Sequence, residues 1–517
     1  MKATNAERLD RILSQAKNCH EVELNLHNLD SNRDYCGFQV STLNKDFPPK
    51  PSPETCADTD LNFGIPGFTK LPWSTANIEN GCHLYTTIQK ALENLANKGA
   101  NTVDDVIKTM KTCAPWLESF GSLRRFVDNL STSEKREALN TMAGIAKLAA
   151  NAKNVITAPI PLLLANRPGS VTLSQEQCAC LLAHGFFCTY PHEDKTFNMI
   201  NFARIYYNTS FLSSVRLQFI LNYFSLVLKE MPSGCVSFIR KVLCHSDIPN
   251  WKNSKTPIPL VGVTSTIAIE DAPGCLQVDF ADEYIGGLVL ASPIDQEEVR
   301  FLICPEMIVS SLLCEKMEPL EAIQIIGAQR YNSYSGYRGT LKWIPFKHYG
   351  SEPRDEFGRV VCDLAAIDAL PFYEMHENFQ YTKENIDREL NKAYAGFMSS
   401  LKEARPVATG NWGCGAFGGN KKLKSLIQML AAAKAGRAMI YCTFNDKHFE
   451  SSMIKQYEKL VGMNATIGAV YKALLSYDKE RKQNPRLSVY RHVCDFMRRD
   501  TTLTGCIKSA CTSTVDH

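Results

Sequence analysis

Two hydrophobic patterns divide the chain. From about residue 80 to 230, apolar residues recur at helical spacing, for example within 139–148, and Ser131 and Glu134 form a capping box ahead of that stripe. After about residue 258, short continuous apolar runs alternate with helical stripes, which is typical of a buried parallel or mixed sheet flanked by helices. The pattern therefore predicts an α/β core preceded by a helical region.

Six apolar runs of the second half are predicted strands. They are CLQVDFA (275–281), VRFLICPEM (299–307), AIQIIGA (322–328), VVCDLAAIDA (360–369), PVATG (406–410) and AMIYCTF (438–444). Helices are predicted over the stripes 386–401 and 423–430, and Gly436 is placed to cap the second. A short N-terminal amphipathic helix is also expected, with Leu9, Ile12, Leu13 and Ala16 on one face.

We divide the chain into four segments on these patterns. Residues 1–75 form an N-terminal extension, partly irregular because it contains PPKPSPE at 48–54. Residues 76–230 form a helical accessory domain and residues 231–462 the α/β domain. Residues 463–517 form a helical tail, whose basic side chains are expected to face solvent.

Composition narrows the class of protein. The chain has 517 residues, a net charge of +3, 44% apolar and 21% charged residues, as in an ordinary globular protein. It shows no secretory signal and no apolar run of membrane-spanning length, so neither is expected. The 19 cysteines are scattered without a C-x-x-C pair, which predicts reduced, mostly buried thiols in an intracellular protein and no metal site.

A glycine-rich turn between a predicted strand and helix carries the first candidate chemistry. Gly413, Gly415 and Gly418 match the G-x-G-x-x-G fingerprint, whose backbone N–H groups suit a diphosphate. A nicotinamide site would want an acidic residue about 20 positions on, and Asp446 comes later than that. A diphosphate cradle is therefore favoured over a hydride-transfer site or a plain turn. Trp412 and Phe417 suggest aromatic contact with a sugar or base.

The second candidate is a pair of adjacent carboxylates. Glu297 and Glu298 follow a loop that contains Gly286 and Gly287, and an apolar run comes directly after them. Paired glutamates usually mark a solvated surface. Their place between a glycine turn and a buried segment favours a functional role.

Several motifs together resemble poly(ADP-ribose) glycohydrolases of the animal and protist type. They are TGNWGCGAFGG, RELNKAY, AIDAL, VDFA and QEE, and the likeness covers roughly residues 75–460. The resemblance implies a macrodomain-like mixed sheet flanked by helices, with an N-terminal helical accessory domain. It also implies hydrolysis of the ribose–ribose O-glycosidic bonds of poly(ADP-ribose), mainly exo, with release of ADP-ribose.

The resemblance implies roles residue by residue. Glu298 matches the catalytic acid/base, Glu297 the glutamate that holds ribose hydroxyls, and Asp279 the aspartate grouped with them. Substrate contacts are implied at the adenine end, the ribose, the glycine loop, a covering tyrosine, the diphosphate loop and a distal aromatic. Ile269, Glu270 and Gln296 are implied at the adenine end, Asp282 at the ribose, and Gly286 and Gly287 in the glycine loop. Tyr337 is the covering tyrosine and Phe444 the distal aromatic. The diphosphate loop comprises Asn411, Trp412, Gly413, Cys414, Gly415, Ala416 and Phe417.

Two positions depart from the family pattern. Leu288 stands where a third glycine is expected, and Asp282 stands where an asparagine contacts ribose. We expect both to tune affinity or rate, because Leu288 restricts φ and close approach while Asp282 adds charge and loses a donor. Two alternatives stay open: a protein that binds ADP-ribose but has lost turnover, and a nicotinamide-dependent oxidoreductase.

The implied mechanism uses one working glutamate, since adjacent residues cannot easily flank a sugar from both sides. Glu298 must then hold a proton near neutral pH, and its neighbours Glu297 and Asp279 favour that. No cofactor or metal is expected. The expected partner is poly(ADP-ribose) on modified proteins, without sequence-specific nucleic acid or membrane binding, for a monomer in the nucleus, the cytoplasm or both.

Overall fold

The computed structural model describes residues 3–18, 33–38, 67–74, 77–79, 82–191, 196–207, 210–399 and 404–499. The PPKPSPE segment and the end of the tail lie outside these residues. The helices are α1 (Asn5–Asn18), α2 (Tyr85–Lys98), α3 (Val103–Cys113), α4 (Gly121–Asp128), α5 (Thr132–Val155), α6 (Gln175–Phe186), α7 (Ala203–Tyr207), α8 (Phe211–Lys229), α9 (Gln296–Ile303), α10 (Ser310–Leu313), α11 (Lys383–Phe397), α12 (Lys421–Lys434), α13 (Lys447–Gly462), α14 (Ile467–Gln483) and α15 (489–499).

A mixed sheet of nine strands, in the order β1-β4-β5-β8-β11-β7-β12-β13-β6, runs through the protein. The strands are β1 (Asp34–Cys36), β2 (Ile78–Glu79), β3 (Cys82–His83), β4 (Gly169–Ser174), β5 (Cys235–Val242), β6 (Val261–Thr264), β7 (Leu276–Asp279), β8 (Glu321–Gly327), β9 (Asn332–Ser335), β10 (Lys342–Pro345), β11 (Val360–Ala366), β12 (Val407–Gly410) and β13 (Met439–Cys442). The pairs β2–β3 and β9–β10 lie apart as antiparallel hairpins.

Five neighbouring strands of this sheet, β11, β7, β12, β13 and β6, are parallel to one another. On the other side, β4, β5, β8 and β11 pair antiparallel. The macrodomain-like mixed sheet expected from the sequence is confirmed. All five parallel strands end at the same edge, which is where ligands bind in sheets of this kind.

The local predictions are confirmed except for one. Five of the six predicted strands form, and the described parts of both helical stripes, the capping box at Ser131 and the Gly436 turn are present. The strand predicted over VRFLICPEM is wrong, because this segment forms the greater part of α9 and the start of a 3₁₀ turn, Pro305–Val309. Asp295 caps α9 through a capping box, and α9 is buried on every face from Glu297 onward, so the run lacks helical periodicity.

The helical part packs around α5 and α8. Within the described residues, α8 is the helix long and apolar enough to cross a bilayer by length and composition, although 56% of the relevant window is buried inside the protein. Phe219, Tyr223 and Phe224 of α8 are fully buried in the same core as α5 and α6. Packing within this core therefore accounts for the apolar character of α8. Most of the described cysteines are buried, as expected, whereas their reduced state stays a prediction.

The N-terminal helix closes one edge of the sheet. Ile12 and Ala16 of α1 are buried, as predicted, against β13 and the segment that follows β6. Asn5 acts like a strand neighbour of β6: its Nδ2 donates to the carbonyl of Val263 (2.7 Å) and its Oδ1 accepts the N–H of Val263 (2.9 Å). Arg8 adds a bond to the carbonyl of Val261. The exposed polar groups of an edge strand are thus satisfied by side chains.

Asn5→Ala is expected to lower the free energy of unfolding by about 1–2 kcal/mol, because two partly buried hydrogen bonds to β6 are lost. Urea unfolding followed by circular dichroism measures the change. Asn140→Ala, at an exposed position of α5, is the matched control and is expected to leave stability within about 0.5 kcal/mol. Equal effects of the two substitutions would contradict a role for Asn5 at the sheet edge.

Candidate active site

The segments singled out by the sequence meet where the parallel strands end. The glycine-rich loop follows β12, the segment with Phe444 follows β13, and Ile269 and Glu270 follow β6. Hydrogen bonds join these segments to one another. Asn411 Nδ2 donates to the carbonyl of Thr443 (3.1 Å), and the N–H of Asn445 donates to the carbonyl of Ser265 (3.1 Å).

Three carboxyl groups lie at the centre of this edge. Asp279 is the last residue of β7, and Glu297 and Glu298 lie in the first turn of α9. Their exposures are 0% for Asp279, 3% for Glu297 and 7% for Glu298. The two glutamates therefore do not belong to a solvated surface, and Glu298 is the most accessible of the three groups.

Glu297 is held by the loop that precedes α9. Its Oε2 accepts the N–H of Asp282 (2.9 Å) and its Oε1 accepts the N–H of Gly286 (2.6 Å). Burial, and then the charges of Asp279 and Glu298, raise the pKa of Glu297 well above its ordinary value. The N–H of Asp282 opposes part of that rise in pKa.

The Asp279 carboxyl contacts the Glu297 carboxyl at the end of β7. Burial raises the pKa of Asp279 to about 8, although the Arg300 guanidinium opposes the rise. Among the described residues, the partner of the Asp279 carboxyl is the Glu297 carboxyl, since no N–H or hydroxyl reaches its two oxygens. Two carboxyl groups in contact cannot both ionise easily, so the pair holds a proton near neutral pH.

Glu298 is fixed by two backbone donors on opposite sides. Its Oε1 accepts the N–H of Leu288 (2.9 Å), and its Oε2 accepts the N–H of Asp295 (2.6 Å), which is the N-cap of α9. Burial raises the pKa of Glu298, and these two N–H groups lower it again in part. A buried, oriented carboxyl group that keeps a proton longer than usual is suited to general acid catalysis.

The glycine loop has no room for side chains beneath it. At Gly287, where φ is +50°, a Cβ would lie 2.5 Å from Oε2 of Glu297 and 2.7 Å from Oε1 of Glu298. At Gly286, where φ is +91°, a Cβ would lie 2.8 Å from Oγ of Ser311. The two glycines thus permit the backbone to approach both glutamates.

Leu288 does not disturb this arrangement. Its φ is not positive, so the position does not require glycine, and its side chain is 38% exposed. Its contribution to the glutamates is the backbone N–H, which any residue other than proline supplies. The expected restriction of φ at Leu288 is therefore wrong, whereas its effect on the approach of a ligand stays a prediction.

Asp282, the second departure, closes the turn after β7. Its Oδ1 accepts the N–H of Tyr284 (2.9 Å), and its own N–H reaches Glu297. Burial raises the pKa of Asp282. The carboxylate thus does the work of a turn-forming residue, which asparagine would do equally well.

The glycine-rich loop presents unused backbone donors. Within the described chain, the N–H groups of Gly415, Ala416 and Phe417 make no hydrogen bond, whereas that of Cys414 turns back to the carbonyl of Asn411. A Cβ added at Gly415 would meet nothing within 4 Å. Successive free N–H groups in an open turn suit an anion such as a diphosphate.

Trp412 supports this loop from below. Its side chain is fully buried and its Nε1 donates to the carbonyl of Ile367 (2.9 Å). The Lys424 ammonium lies 4.0 Å from the Trp412 ring centroid and pairs with Glu389. The expectation that the Trp412 side chain grips a sugar or base is wrong. Phe417 is half-buried, and its carbonyl accepts the N–H of Phe372.

Two aromatic rings form a rim beside Glu298. Tyr337 donates its hydroxyl to Oδ1 of Asp295 (3.0 Å), the cap of α9, and its ring packs edge-on against Phe444 with centroids 5.0 Å apart. Phe444 is 55% exposed, which excludes a core role. Through Asp295, both rings are thus placed next to the first turn of α9, which carries Glu298.

At the predicted adenine end, the side chains contact the protein itself. Ile269 is buried against α1, and the Glu270 carboxylate accepts the Tyr334 hydroxyl. Gln296 joins α9 to β7: its Oε1 accepts the N–H of Phe280 (2.8 Å) and its Nε2 donates to the carbonyl of Val278 (3.2 Å). Adenine contacts at these positions stay a prediction.

Three residues of this site were missed in the sequence. Arg300 places a buried guanidinium near Asp279, and it lies three residues after Glu297, a spacing that would have marked it had α9 been recognised as a helix. Asn198 Nδ2 lies within 3.1 Å of the carbonyls of Tyr284, Ile285 and Gly287. Arg216 Nε donates to the carbonyl of Val289 (2.8 Å). No sequence signal marks Asn198 or Arg216.

Comparison with known proteins agrees with this geometry. Two family models match: the Macro domain fold of poly(ADP-ribose) glycohydrolase over residues 248–451, and the helical domain of the same enzyme over residues 130–240. Poly(ADP-ribose) glycohydrolase 2 of Caenorhabditis elegans is 38% identical over 408 residues, 76% of this chain and 82% of that protein.

Two further relatives share the same kind of name. Poly(ADP-ribose) glycohydrolase 1 of C. elegans is 39% identical over 350 residues, which are 65% of this chain but only 44% of that longer protein. Probable poly(ADP-ribose) glycohydrolase 2 of Arabidopsis thaliana is 34% identical over 378 residues, 62% of this chain and 71% of the relative.

Gly287→Ala is expected to destabilise the protein, because the new methyl group displaces both glutamates and φ is positive. Gly350→Ala is the matched control, since φ there is +78° but a Cβ would meet nothing within 4 Å. We expect Gly287→Ala to lower the free energy of unfolding by about 1–3 kcal/mol more than Gly350→Ala does. Urea unfolding measures both, and equal losses would contradict the close packing of the loop on the glutamates.

Proposed function

We propose that this chain, which belongs to the poly(ADP-ribose) glycohydrolase family, hydrolyses the ribose–ribose O-glycosidic bonds of poly(ADP-ribose) and mainly releases ADP-ribose from chain ends. One observation carries the proposal beyond family membership. Glu298 is a buried carboxyl held on both oxygens by backbone N–H groups, at the same edge of the sheet as a loop with free donors.

Glu298 is the proposed general acid. In the first step its proton passes to the leaving 2′-oxygen as the bond between that oxygen and the ribose anomeric carbon breaks. The bonding electron pair stays with the oxygen, which leaves as a hydroxyl, and the ribose becomes an oxocarbenium-like cation. The raised pKa of Glu298 supports this role, because only the protonated group can donate.

In the second step the same carboxylate acts as the base. A water molecule attacks the anomeric carbon, and its proton returns to Glu298, which restores the starting state. One glutamate is sufficient for both steps because it loses a proton in the first and regains it in the second. Its greater exposure than Glu297 or Asp279 supports the choice of Glu298.

Glu297 and Asp279 form the floor of the proposed ribose site. Glu297 holds ribose hydroxyls while its oxygens stay fixed by the N–H groups of Asp282 and Gly286. The proton held between Glu297 and Asp279 reduces the negative charge there. A smaller charge on this floor favours binding of a substrate that is itself a polyanion.

The remaining contacts of the proposed substrate lie at the same edge of the sheet. The free N–H groups of Gly415, Ala416 and Phe417 bind the diphosphate, and Tyr337 and Phe444 cover the sugar beside Glu298. The substrate is poly(ADP-ribose) attached to modified proteins, in the nucleus, the cytoplasm or both. The protein acts as a monomer in this proposal.

Glu298→Gln is expected to lower the rate of ADP-ribose release by about 10²–10⁴-fold, because glutamine has no proton to donate. Binding of free ADP-ribose is expected to persist, since the amide has nearly the same shape. Labelled polymer and chromatography of products measure release. Glu283→Gln, an exposed carboxylate paired with Lys316, is the control and retains activity. Equal release by wild type and Glu298→Gln would refute the assignment.

Leu288→Gly tests the alternative that this chain binds ADP-ribose without cleaving it. Because the Leu288 side chain is 38% exposed and the substitution keeps the backbone N–H that reaches Glu298, we expect the turnover rate to change by no more than about threefold. The same polymer assay measures it. A wild type that binds but does not cleave, with activity gained in Leu288→Gly, would favour the impaired-binder hypothesis instead.

A further inference from the structure

Two side chains from the helical part of the protein donate hydrogen bonds to the loop that precedes α9, residues 284–293. Asn198, in the segment before α7, donates Nδ2 to the carbonyls of Tyr284 (3.1 Å), Ile285 (3.0 Å) and Gly287 (2.9 Å). Its Oδ1 accepts the N–H of Met199 (2.8 Å), so the orientation of the amide is determined by both of its ends.

Arg216, on α8, donates hydrogen bonds to carbonyls that come later in the same loop. Its Nε donates to Val289 (2.8 Å), and its Nη2 donates to Pro293 (3.1 Å) and, at 3.5 Å, to Leu288. The residue is almost fully buried. The buried guanidinium satisfies its donors with backbone carbonyls, and its nearby opposite charge is that of Glu298.

The carbonyl of Gly287 and the N–H of Leu288 belong to one planar peptide group. Asn198 holds the oxygen of that group, and the N–H of the same group donates to Oε1 of Glu298. Because the peptide is rigid, fixing its oxygen also fixes the direction of its N–H. Arg216 holds the carbonyls of Leu288 and Val289, which belong to the next two peptide groups. The Gly287–Leu288 peptide group is therefore hindered from rotating relative to them.

We propose that Asn198 and Arg216 are positioning residues that hold the Gly287–Leu288 peptide group in the orientation in which its N–H reaches Glu298. They touch no substrate atom and act through that peptide. The helical part is then a component of the catalytic apparatus. This inference rests on the proposed function for its kinetic test.

The sign of the expected pH effect follows from the role of the N–H. Glu298 donates a proton, so turnover falls as pH rises through its pKa. The Leu288 N–H stabilises the carboxylate form and lowers that pKa, as does a nearby positive charge. Loosening the peptide, or removing the guanidinium, therefore moves the alkaline limb of the pH–rate profile to higher pH.

The test compares Asn198→Ala and Arg216→Lys with the wild type in steady-state release of ADP-ribose from the polymer. Asn198→Ala is expected to lower kcat by roughly tenfold with KM within about threefold, because the acid is misplaced while the binding loop is intact. Its alkaline limb moves to higher pH. Arg216→Lys keeps the charge, so its limb moves less than that of Arg216→Met.

Matched controls separate positioning from general stability. Asn77 is buried in the helical part and donates to the carbonyls of Pro72 and Thr189, away from the loop. Arg437 is buried and donates to the carbonyls of Phe397 and Arg405, next to the start of β13. Asn77→Ala and Arg437→Lys are expected to lose stability but to keep the wild-type pH limb.

A double-mutant cycle on unfolding provides a readout without turnover. Asn198→Ala and Glu298→Gln are expected to be non-additive in their effects on urea unfolding, whereas Asn77→Ala and Glu298→Gln are expected to add. Unchanged kcat and pH limb in the Asn198 and Arg216 variants, or additivity of Asn198→Ala with Glu298→Gln, overturns the inference. A wild type that releases no ADP-ribose overturns the proposed function, and the cycle then decides the inference alone.

Discussion

Backbone N–H groups that point at two adjacent carboxylates are the interaction on which this site depends. Four of them, from Asp282, Gly286, Leu288 and Asp295, bond to the four oxygens of Glu297 and Glu298. These bonds stabilise the carboxylate form of each group, which offsets part of the cost of burying two ionisable groups side by side. The glycines, the turn at Asp282 and the cap of α9 all serve to bring these donors into place.

The same donors give the two glutamates different properties. Glu297 shares a proton with Asp279 in the interior, close to the buried Arg300, and is removed from solvent. Glu298 lies one residue farther along the helix and is the more exposed of the two. Adjacent residues on a helix point about 100° apart, and this divergence sends the Glu297 carboxyl toward Asp279 of β7 and the Glu298 carboxyl away from it.

Much of the fold was predictable because its elements follow local rules. The strands β7, β8, β11, β12 and β13 are short apolar runs bounded by turn residues, and the stripes of α11 and α12 have clear periodicity. Helix α9 was not predictable from periodicity, since a helix buried on all faces reads as a continuous apolar run. Glu297, Glu298 and the glycine loop were found through motifs. Asn198 and Arg216 were not found, because their partners lie far along the chain. Tyr284 comes 86 residues after Asn198, and Val289 comes 73 residues after Arg216.

The continuity of the sheet has a consequence for how substrate enters. Strand β4 lies among the helices, and it pairs with β5 over six residues in register, as β5 does with β8. Moving the helices away from the parallel strands would break these pairs, so opening of the described sheet at this junction costs backbone hydrogen bonds. The polymer substrate proposed above would then meet a sheet edge whose backbone is set before the encounter, with the exposed ring of Phe444 beside it.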